Sequence, residues 1–291
     1  MILGTRGSKL ALIQTNMVRD ALSSVGIETS IQIIESSGDM DRESPLYRMN
    51  SNGAFVDFIN EKVASGEIDA AVHSAKDIPS RIPEELEISA VLERDDPRDA
   101  LVSKYTLKSL PDGAVIGTSS MRRAKAIENM RDDLKVVNIR GNIDTRIRKL
   151  ESGEYDGIVV AASALKRMGF SGHMEILDID TIVPAASQGI IAVVSKKGES
   201  ISEELARINH ERTKKEMAIE RELAESLSLG CSAPVGIFAR CNGHSFEIKA
   251  RFYGINRKGF FDFHFSDCTG MEDIRKKIVD GIPDGFGYVF P

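Results

Sequence analysis

Short apolar runs that break abruptly into polar residues recur along the chain. The clearest is Ile68–Val72, which is followed directly by His73-Ser74-Ala75-Lys76-Asp77. Small and β-branched residues without alternation indicate a strand that is buried on both faces. Ligands of open α/β sheets collect where such strands end, so we expect Asp77 to lie at a ligand-binding crevice.

The remaining pattern alternates strands with helices through the first two thirds of the chain. Residues 10–25 carry apolar side chains at helical spacing and stop at Gly26, a residue that favours a helix C-terminus. This alternation predicts an α/β protein. Strands are predicted at 31–34, 88–92, 114–116, 135–139, 157–161 and 190–194, and helices at 54–64, up to 130, and up to 150.

The last third of the chain changes character. A long helical pattern covers 211–227, and apolar residues then alternate over 246–252 and 261–265, before a last helix at 271–279. Alternation with a period of two predicts a small antiparallel sheet.

Polar and charged segments interrupt the pattern at three places. Residues 35–52 contain Gly38 and Pro45 and show no period, which predicts a mobile loop that covers the crevice. The charged stretch 93–99 and the segment 181–189 are predicted connectors between domains.

Charge separates one region from the rest. The formal net charge of −6 argues against a general nucleic-acid-binding protein. Residues 115–150 nevertheless hold nine basic and four acidic residues, so this region can attract a small polyanion. No apolar run approaches the roughly 20 residues that span a bilayer, and the N-terminus lacks a signal-peptide pattern, so we expect a cytoplasmic protein without a membrane partner.

Three motifs carry the candidate chemistry, and each lies where a predicted strand meets a helix. They are Gly4–Ser8, Gly117–Arg123 and Arg140–Arg146. Ser and Thr caps, free N–H groups and guanidinium groups at helix N-termini bind carboxylate or phosphate, and bidentate Arg favours carboxylates. Each arginine alone is more often a surface or ion-pair residue, but their repeated position after strands favours binding.

Other residues keep two interpretations. Asp77 is either a helix cap or an ionised carboxylate that stabilises a developing cation or relays a proton, and Lys76 binds an anion more readily than it forms a Schiff base. His73 is expected to be structural. Cys231 follows Gly230 and is either a buried structural cysteine or a covalent attachment point. A zinc site is not expected, since Cys231, Cys241, His244 and Cys268 lack paired spacing.

Taken together, these motifs resemble the porphobilinogen deaminase (hydroxymethylbilane synthase) family over most of the chain, and the resemblance weakens after about residue 240. The segments that carry it are Thr5–Ser8, Asp69–Asp77, Glu93–Ala100, Gly117–Arg123, Arg140–Asn142 with Thr145 and Arg146, and Gly230-Cys231. The resemblance implies a transferase that joins four porphobilinogen molecules head to tail with release of ammonia, and then hydrolyses the product to hydroxymethylbilane.

The resemblance also implies site residues. Asp77 would be the catalytic carboxylate, and Cys231 would hold a dipyrromethane cofactor by a thioether. Arg48 and Phe55 would belong to the loop near the site. The matching cofactor- and substrate-binding positions are Arg6, Ser8, Ser74, Lys76, Thr118, Ser120, Arg122, Arg123, Arg140, Arg146 and Gln188. The resemblance implies no metal. It implies a monomer whose small-molecule partner is the substrate porphobilinogen.

The fold implied by the family has two periplasmic-binding-protein-like α/β domains joined by hinges and a small C-terminal α+β domain with the cysteine loop. We therefore expect a first domain of residues 1–92 with 190–207, a second of 96–184 and a third of 210–291. The return of the strand at 190–194 to the first domain rests on the resemblance.

The sequence departs from the family pattern at a few positions. Asn52 replaces a lysine, Ala75 a methionine and Ser187 a glycine, whereas Phe55 keeps the family aromatic. A rival interpretation is a non-catalytic binding protein that closes on a dicarboxylate, which would have no use for Cys231. A pyridoxal-phosphate enzyme centred on Lys76 is a second rival.

Overall fold

The computed structural model of the chain describes residues 1–34, 51–230, 233–243, 245–266 and 270–290. Most of the loop predicted at 35–52 lies outside these residues, as do Arg48, Cys231 and Cys268. The chain divides into two compact units, residues 1–95 with 189–214 and residues 96–188 with 215–291.

The first unit is a mixed five-stranded sheet with helices. Its strand order is β2-β1-β3-β10-β4, with β1 parallel to β2 and β3, and β10 antiparallel to β3 and β4. The strands are β1 (Ile2–Thr5), β2 (Ser30–Ile33), β3 (Ala70–Ser74), β4 (Leu86–Val91) and β10 (Ile191–Lys196). The helices are α1 (Lys9–Ser24), α2 (Ser51–Ala64) and α6 (Ser200–Ala206). The strand predicted at 190–194 thus lies in this sheet.

Local sequence explains how α1 is bounded. The Ser8 hydroxyl accepts a hydrogen bond from the backbone N–H of Ala11 at 3.3 Å, as expected of an N-cap. Gly26 ends the helix with φ = 81°, a conformation that glycine adopts without strain. Val18 and Leu22 of α1 are fully buried and pack with Leu3 of β1 against the sheet. The amphipathic face seen in the sequence therefore becomes the core of this unit.

The second unit contains a sheet of similar design. Its strand order is β7-β6-β8-β5-β9, with β6 parallel to β7 and β8, and β5 antiparallel to β8 and β9. The strands are β5 (Asp99–Val102), β6 (Val115–Gly117), β7 (Lys135–Val137), β8 (Gly157–Ala161) and β9 (Met174–Leu177). The helices are α3 (Met121–Met130), α4 (Ile143–Glu151) and α5 (Ala162–Arg167). Separate clusters of buried apolar residues cover the two faces of this sheet.

The C-terminal residues form the antiparallel sheet β11-β12-β13. Its strands are β11 (Val235–Asn242), β12 (Ser245–Tyr253) and β13 (Phe260–Ser266), and its helices are α7 (Glu211–Ser226) and α8 (Met271–Gly281). Leu223 of α7, Phe252 of β12 and Ile278 of α8 are fully buried in one cluster. The fold class predicted from the sequence, α/β with a smaller α+β part, is confirmed, whereas the three-domain boundaries stay a prediction.

Three strands and a short helix escaped the sequence patterns. The predicted connector at 93–99 is too long by one residue, because Asp99 is the first residue of β5. Strands β9 and β11 and helix α6 were also not predicted. Strands β5 and β9 and helix α6 have only four to seven residues, which is too few to display a period. Strand β11 has eight residues, but its first five are all buried, so it shows no alternation.

Candidate active site

In the first unit, the buried strand β3 ends in a single 3-10 turn at Ala75–Asp77. The Ile78 N–H donates to the Ala75 carbonyl at 3.2 Å and closes the turn, while the Ala75 N–H donates to the Ile190 carbonyl at 3.0 Å. Lys76 and Asp77 are half-buried on this turn. The sheet therefore presents both side chains at the carboxyl end of its central strand, as the apolar run predicted.

Two polar residues of neighbouring helices hold the end of β3. His73 Nε2 lies 3.0 Å from Asn60 Oδ1 of α2, and Ser74 Oγ lies 2.9 Å from Gln14 Nε2 of α1. Burial, together with the positive charge of Arg6, lowers the pKa of His73 to about 4, so the imidazole is neutral at neutral pH. The expectation that His73 is structural is confirmed.

Gln14 and Asn60 were missed from the sequence. Both are buried, at 4% and 1% exposure, although amides usually face solvent. A polar residue at a core-facing position of a helix needs a buried hydrogen-bond partner. A search of the sequence for such positions could have identified Gln14 and Asn60.

Arg6 and Phe55 meet in the same unit. The guanidinium carbon of Arg6 lies 4.0 Å from the centroid of the Phe55 ring, in cation–π geometry. The Ser8 hydroxyl caps α1, and this contact gives no separate support to the predicted anion-binding role of Ser8.

In the second unit, Asp99 joins three of the predicted binding residues. Arg122 Nη1 donates to Asp99 Oδ2 at 2.7 Å, and Arg123 Nε donates to Asp99 Oδ1 at 2.9 Å. Gln188 Nε2 donates to the same Oδ1 at 2.8 Å. Asp99 is fully buried, and both guanidinium groups are nearly so. Asp99 lies at the end of the connector predicted at 93–99, and nothing in its position along the chain indicates that it joins these residues.

Electrostatics keep this cluster ionised. Burial alone would raise the pKa of Asp99, but the charges of Arg122 and Arg123 and their hydrogen bonds outweigh it and hold the pKa well below its usual value. Burial lowers the pKa of Arg146, and the positive charge of Arg123 lowers it further. Arg123 and Arg146 are therefore electrostatic neighbours.

The other predicted groups of this unit occupy helix N-termini. Ser120 accepts a hydrogen bond from the Arg123 N–H at 3.5 Å as the N-cap of α3, and its own N–H donates to Thr118 Oγ1 at 3.2 Å. Arg146 donates from Nε to the Gly141 carbonyl at 2.8 Å, and Arg140 is exposed beside it. In the described part of the chain no carboxylate forms an ion pair with Arg140 or Arg146.

The predicted binding residues are thus divided between the two units. Arg6, Ser8, Ser74, Lys76 and Asp77 belong to the first, and the others described belong to the second. Cys231 and Arg48 lie outside the described residues. Within the described ranges no group of three His, Cys, Asp or Glu residues could hold a metal ion. The helices of those ranges include none with the length and apolarity to cross a membrane.

A cleft of about 680 Å³ in the second unit contains none of the predicted site residues. Its lining contains two close ion pairs, Arg98 with Asp96 at 2.7 Å and Lys249 with Asp180 at 2.5 Å. This cleft is therefore distinct from the predicted binding residues of the same unit.

Comparison with known proteins decides the family. Residues 1–204 match the family described as "Porphobilinogen deaminase, dipyromethane cofactor binding domain". A "Probable porphobilinogen deaminase" of Picrophilus torridus is 48% identical over 287 residues, which cover 98% of this chain and 99% of the relative. The chain belongs to the porphobilinogen deaminase family. Relatives from Archaeoglobus fulgidus (46% identical; 97% of this chain and 99% of the relative) and Roseiflexus sp. (44%; 86% and 84%) agree.

Solved structures give a weaker likeness. An amino acid ABC transporter substrate-binding protein from Streptococcus pneumoniae is 13% identical with a TM-score of 0.43, covering 78% of this chain and 93% of its own. A nutrient-binding protein from Burkholderia cenocepacia is also 13% identical with a TM-score of 0.43, covering 74% and 94%. No functional conclusion rests on these two.

Porphobilinogen deaminases of this family contain a dipyrromethane cofactor-binding domain, and the donor set of the second unit fits such a group. Arg122 and Arg123 pair with Asp99 inside this unit, and the half-buried Arg146 forms no ion pair among the described residues. Guanidinium groups suit carboxylates in particular, and each pyrrole of the cofactor and substrate bears two carboxylates.

Proposed function

We propose that this chain performs the reaction of its family with Asp77 as the catalytic carboxylate and Cys231 as the point of cofactor attachment. The reaction is the head-to-tail condensation of four porphobilinogen molecules with release of ammonia, followed by hydrolysis to hydroxymethylbilane, which makes the chain a transferase of tetrapyrrole biosynthesis. When bound, the dipyrromethane supplies the primer pyrrole for the first addition.

The observation that carries the proposal is the placement of Asp77. It lies half-buried on the 3-10 turn at the end of β3, on a strand whose residues Ala70–His73 are buried. A carboxylate on a short turn fixed by hydrogen bonds at both ends is held with little freedom to move. Such a group can accept hydrogen bonds from pyrrole N–H groups and stabilise the positive charge that develops on the substrate as ammonia leaves.

The basic groups serve to bind carboxylates. Arg6 and Lys76 of the first unit, and Arg123, Arg140 and Arg146 of the second, provide the charge, while the Ser8, Ser74, Thr118 and Ser120 hydroxyls and the Gln188 amide provide polar contacts. Binding of these carboxylates does not require a cationic protein, because the basic residues are concentrated locally, in residues 115–150, of a chain whose net charge is −6. We propose a monomer that binds neither nucleic acid nor membrane.

The intact mass of the purified protein tests the attachment. We expect an added mass of two linked pyrroles that maps to the peptide with Cys231. Cys231→Ala should lack both the adduct and bilane formation, whereas Cys241→Ala, the matched control on β11, should keep both. An unmodified wild-type protein that also stays unmodified after incubation with porphobilinogen would favour the dicarboxylate-binding rival.

A second measurement separates the remaining rival. The pyridoxal-phosphate hypothesis requires a borohydride-reducible chromophore on Lys76, with a mass increase on the peptide that contains it. We expect no such increase, and ammonia release that is proportional to the porphobilinogen consumed. Ammonia release without a tetrapyrrole product would contradict the proposal.

A further inference from the structure

The cleft of about 680 Å³ in the second unit lies against one face of the C-terminal sheet. Phe238 and Arg240 of β11 pair with Lys249 and Glu247 of β12, respectively, in the antiparallel register. Residues two apart on a strand point to the same face, so these four side chains share one face of the sheet, and all four line the cleft. The rest of the lining comes from residues 96–98 and 178–181.

Two contacts hold the segment 178–181 on the sheet. Lys249 Nζ of β12 lies 2.5 Å from Asp180 Oδ1, and Arg251 of the same strand donates from Nη1 to the Thr181 carbonyl at 2.9 Å. Both ends of these contacts belong to the second unit. The cleft is therefore preformed within one compact unit, which is the usual condition of a small-molecule site.

The lining contains one cation and one anion that form no ion pair in the described part of the chain. Arg98 is bound to Asp96 at 2.7 Å and lies 3.7 Å from Asp178. Arg240 and Glu247 have no such partner among the described residues, although the register places them directly opposite each other and both are exposed. Charges of both signs are thus available side by side in the cleft.

The chemistry of these two groups defines the ligand that they suit. The guanidinium carbon of Arg240 lies 5.7 Å from the centroid of the buried Phe238 ring, a contact that holds it on the cleft side of the sheet. A guanidinium group binds a carboxylate in bidentate geometry, and the carboxylate of Glu247 accepts hydrogen bonds from an ammonium group. A single exposed charge pair contributes little, so a ligand that engages both groups is favoured over one that engages either alone.

We propose that this cleft binds a small zwitterion, with Arg240 holding its carboxylate and Glu247 holding its primary ammonium group. The chemical class is that of a short amino acid whose two charges are separated by a few carbon atoms. The inference goes beyond the proposed function and stands without it, because none of the residues proposed for the reaction lines the cleft.

The test follows binding at the cleft directly. The purified protein, labelled with ¹⁵N in arginine and phenylalanine, is titrated with glycine, β-alanine and γ-aminobutyrate, which separate the same two charges by increasing lengths. The backbone resonances of Arg240 and Phe238 are those absent from Arg240→Gln and Phe238→Leu. We expect at least one amino acid to shift both resonances saturably, whereas butyrate and butylamine, which carry one charge each, should bind at least about fivefold more weakly.

Two charge-removing variants test the assigned groups. Arg240→Gln and Glu247→Gln should each raise the Kd of the amino acid at least about fivefold, read from the Phe238 resonance, because each removes one charged contact. Both side chains are exposed, so the melting temperature should stay close to that of wild type. Arg257→Gln is the matched control: Arg257 is an exposed arginine 4.9 Å from the Phe286 ring, outside the cleft, and its variant should keep the wild-type Kd.

The outcomes separate the site from its rivals. Saturable shifts that both variants weaken and Arg257→Gln does not weaken support the zwitterion site. Butyrate or butylamine binding as tightly as the amino acid would overturn the assignment, since one charge would then suffice. The absence of a saturable shift, or a Kd unchanged in both variants, would overturn the site itself. Bilane formation by the same preparations tests the proposed function separately, so failure of one proposal is not mistaken for failure of the other.

Discussion

The guanidinium group of Arg6 lies over the ring of Phe55, with 4.0 Å between its central carbon and the ring centroid. Arg6 follows the first strand, and Phe55 lies in α2, after the segment that the sequence predicts as a loop. The contact links a predicted carboxylate-binding residue to a predicted loop residue within one unit. The aromatic face restricts the rotamers of the arginine.

Phe55→Leu should therefore weaken substrate binding more than it weakens folding. A cation–π contact at a partly exposed site contributes about 0.5–1 kcal/mol, which corresponds to a two- to fivefold increase in KM. Phe58→Leu is the matched control on the same helix, since its ring lies near Lys62 at 5.6 Å and not near Arg6. Equal KM values for the two variants would contradict the role given to Phe55.

Asp77→Asn should fold normally and lose elongation. The side chain is half-buried on a turn, so the change leaves no core cavity, while it removes the charge that stabilises the developing cation. We expect a decrease in kcat of at least about a hundredfold, a typical cost of losing such a group. Asp57→Asn, on an exposed position of α2, is the control. Bilane production at the wild-type rate by Asp77→Asn would refute the assignment.

Two arginines of helix α4 allow a matched comparison. Arg146 is half-buried near Arg123, whereas Arg148 is exposed and donates only to Thr145 Oγ1 at 3.2 Å among the described residues. Arg146→Gln should raise the KM for porphobilinogen about tenfold or more, because a charge-assisted contact to a ligand carboxylate is lost. Arg148→Gln should stay close to wild type. Similar KM values in steady-state kinetics of both variants would argue against a ligand-binding role for Arg146.

The exposed Arg140 at the start of the same motif is expected to act earlier in the reaction. Arg140→Leu removes a charge that has no internal carboxylate partner in the described ranges, so the fold should tolerate it. Binding of the first porphobilinogen should weaken, and enzyme-bound intermediates resolved by mass should accumulate at the earliest stage. A wild-type distribution of these intermediates would contradict this prediction.

His73 should make stability depend on pH. Burial lowers the folded-state pKa to about 4 from an ordinary value of 6.5. As the pH falls below 6.5, this histidine therefore binds a proton in the unfolded chain before it does so in the folded protein. The free energy of unfolding decreases until the pH reaches the folded-state pKa. Between pH 7 and 5 the expected loss is about 2 kcal/mol. Denaturant unfolding measures this loss of stability, which should be smaller for His73→Gln than for wild type. An identical pH dependence of the two proteins would contradict the role given to His73.

Ser187 carries a local strain that a glycine would relieve. Its φ of 63° lies in the left-handed region, and its buried hydroxyl has no hydrogen-bond partner among the described residues. Ser187→Gly should be more stable than Ser187→Ala by about 1 kcal/mol, because only glycine adopts this backbone without a Cβ clash. Thermal unfolding of both variants measures the difference. Equal melting temperatures would show that the backbone there is unstrained.

Elements that are long enough to show a period can be predicted from local sequence. Helices α1 and α7 span 16 residues each, and the buried run before Asp77 needs only its apolar composition to be recognised as a strand. The anion-binding role of the Ser and Thr caps followed by arginines at strand-to-helix junctions is also inferred from local sequence, and it stays a prediction. These properties are local, and local sequence suffices for them.

The partners of the charged groups follow from contacts between distant parts of the chain. Arg122 and Arg123 look alike in the sequence, yet Arg122 donates to Asp99 and to the Val183 carbonyl, whereas Arg123 donates to Asp99 and to Gln188. Asp99 lies in a segment with three other acidic residues, and nothing local marks it as the one that is buried. Its burial follows from the antiparallel pairing of β5 with β8 and β9, a contact between residues far apart in sequence.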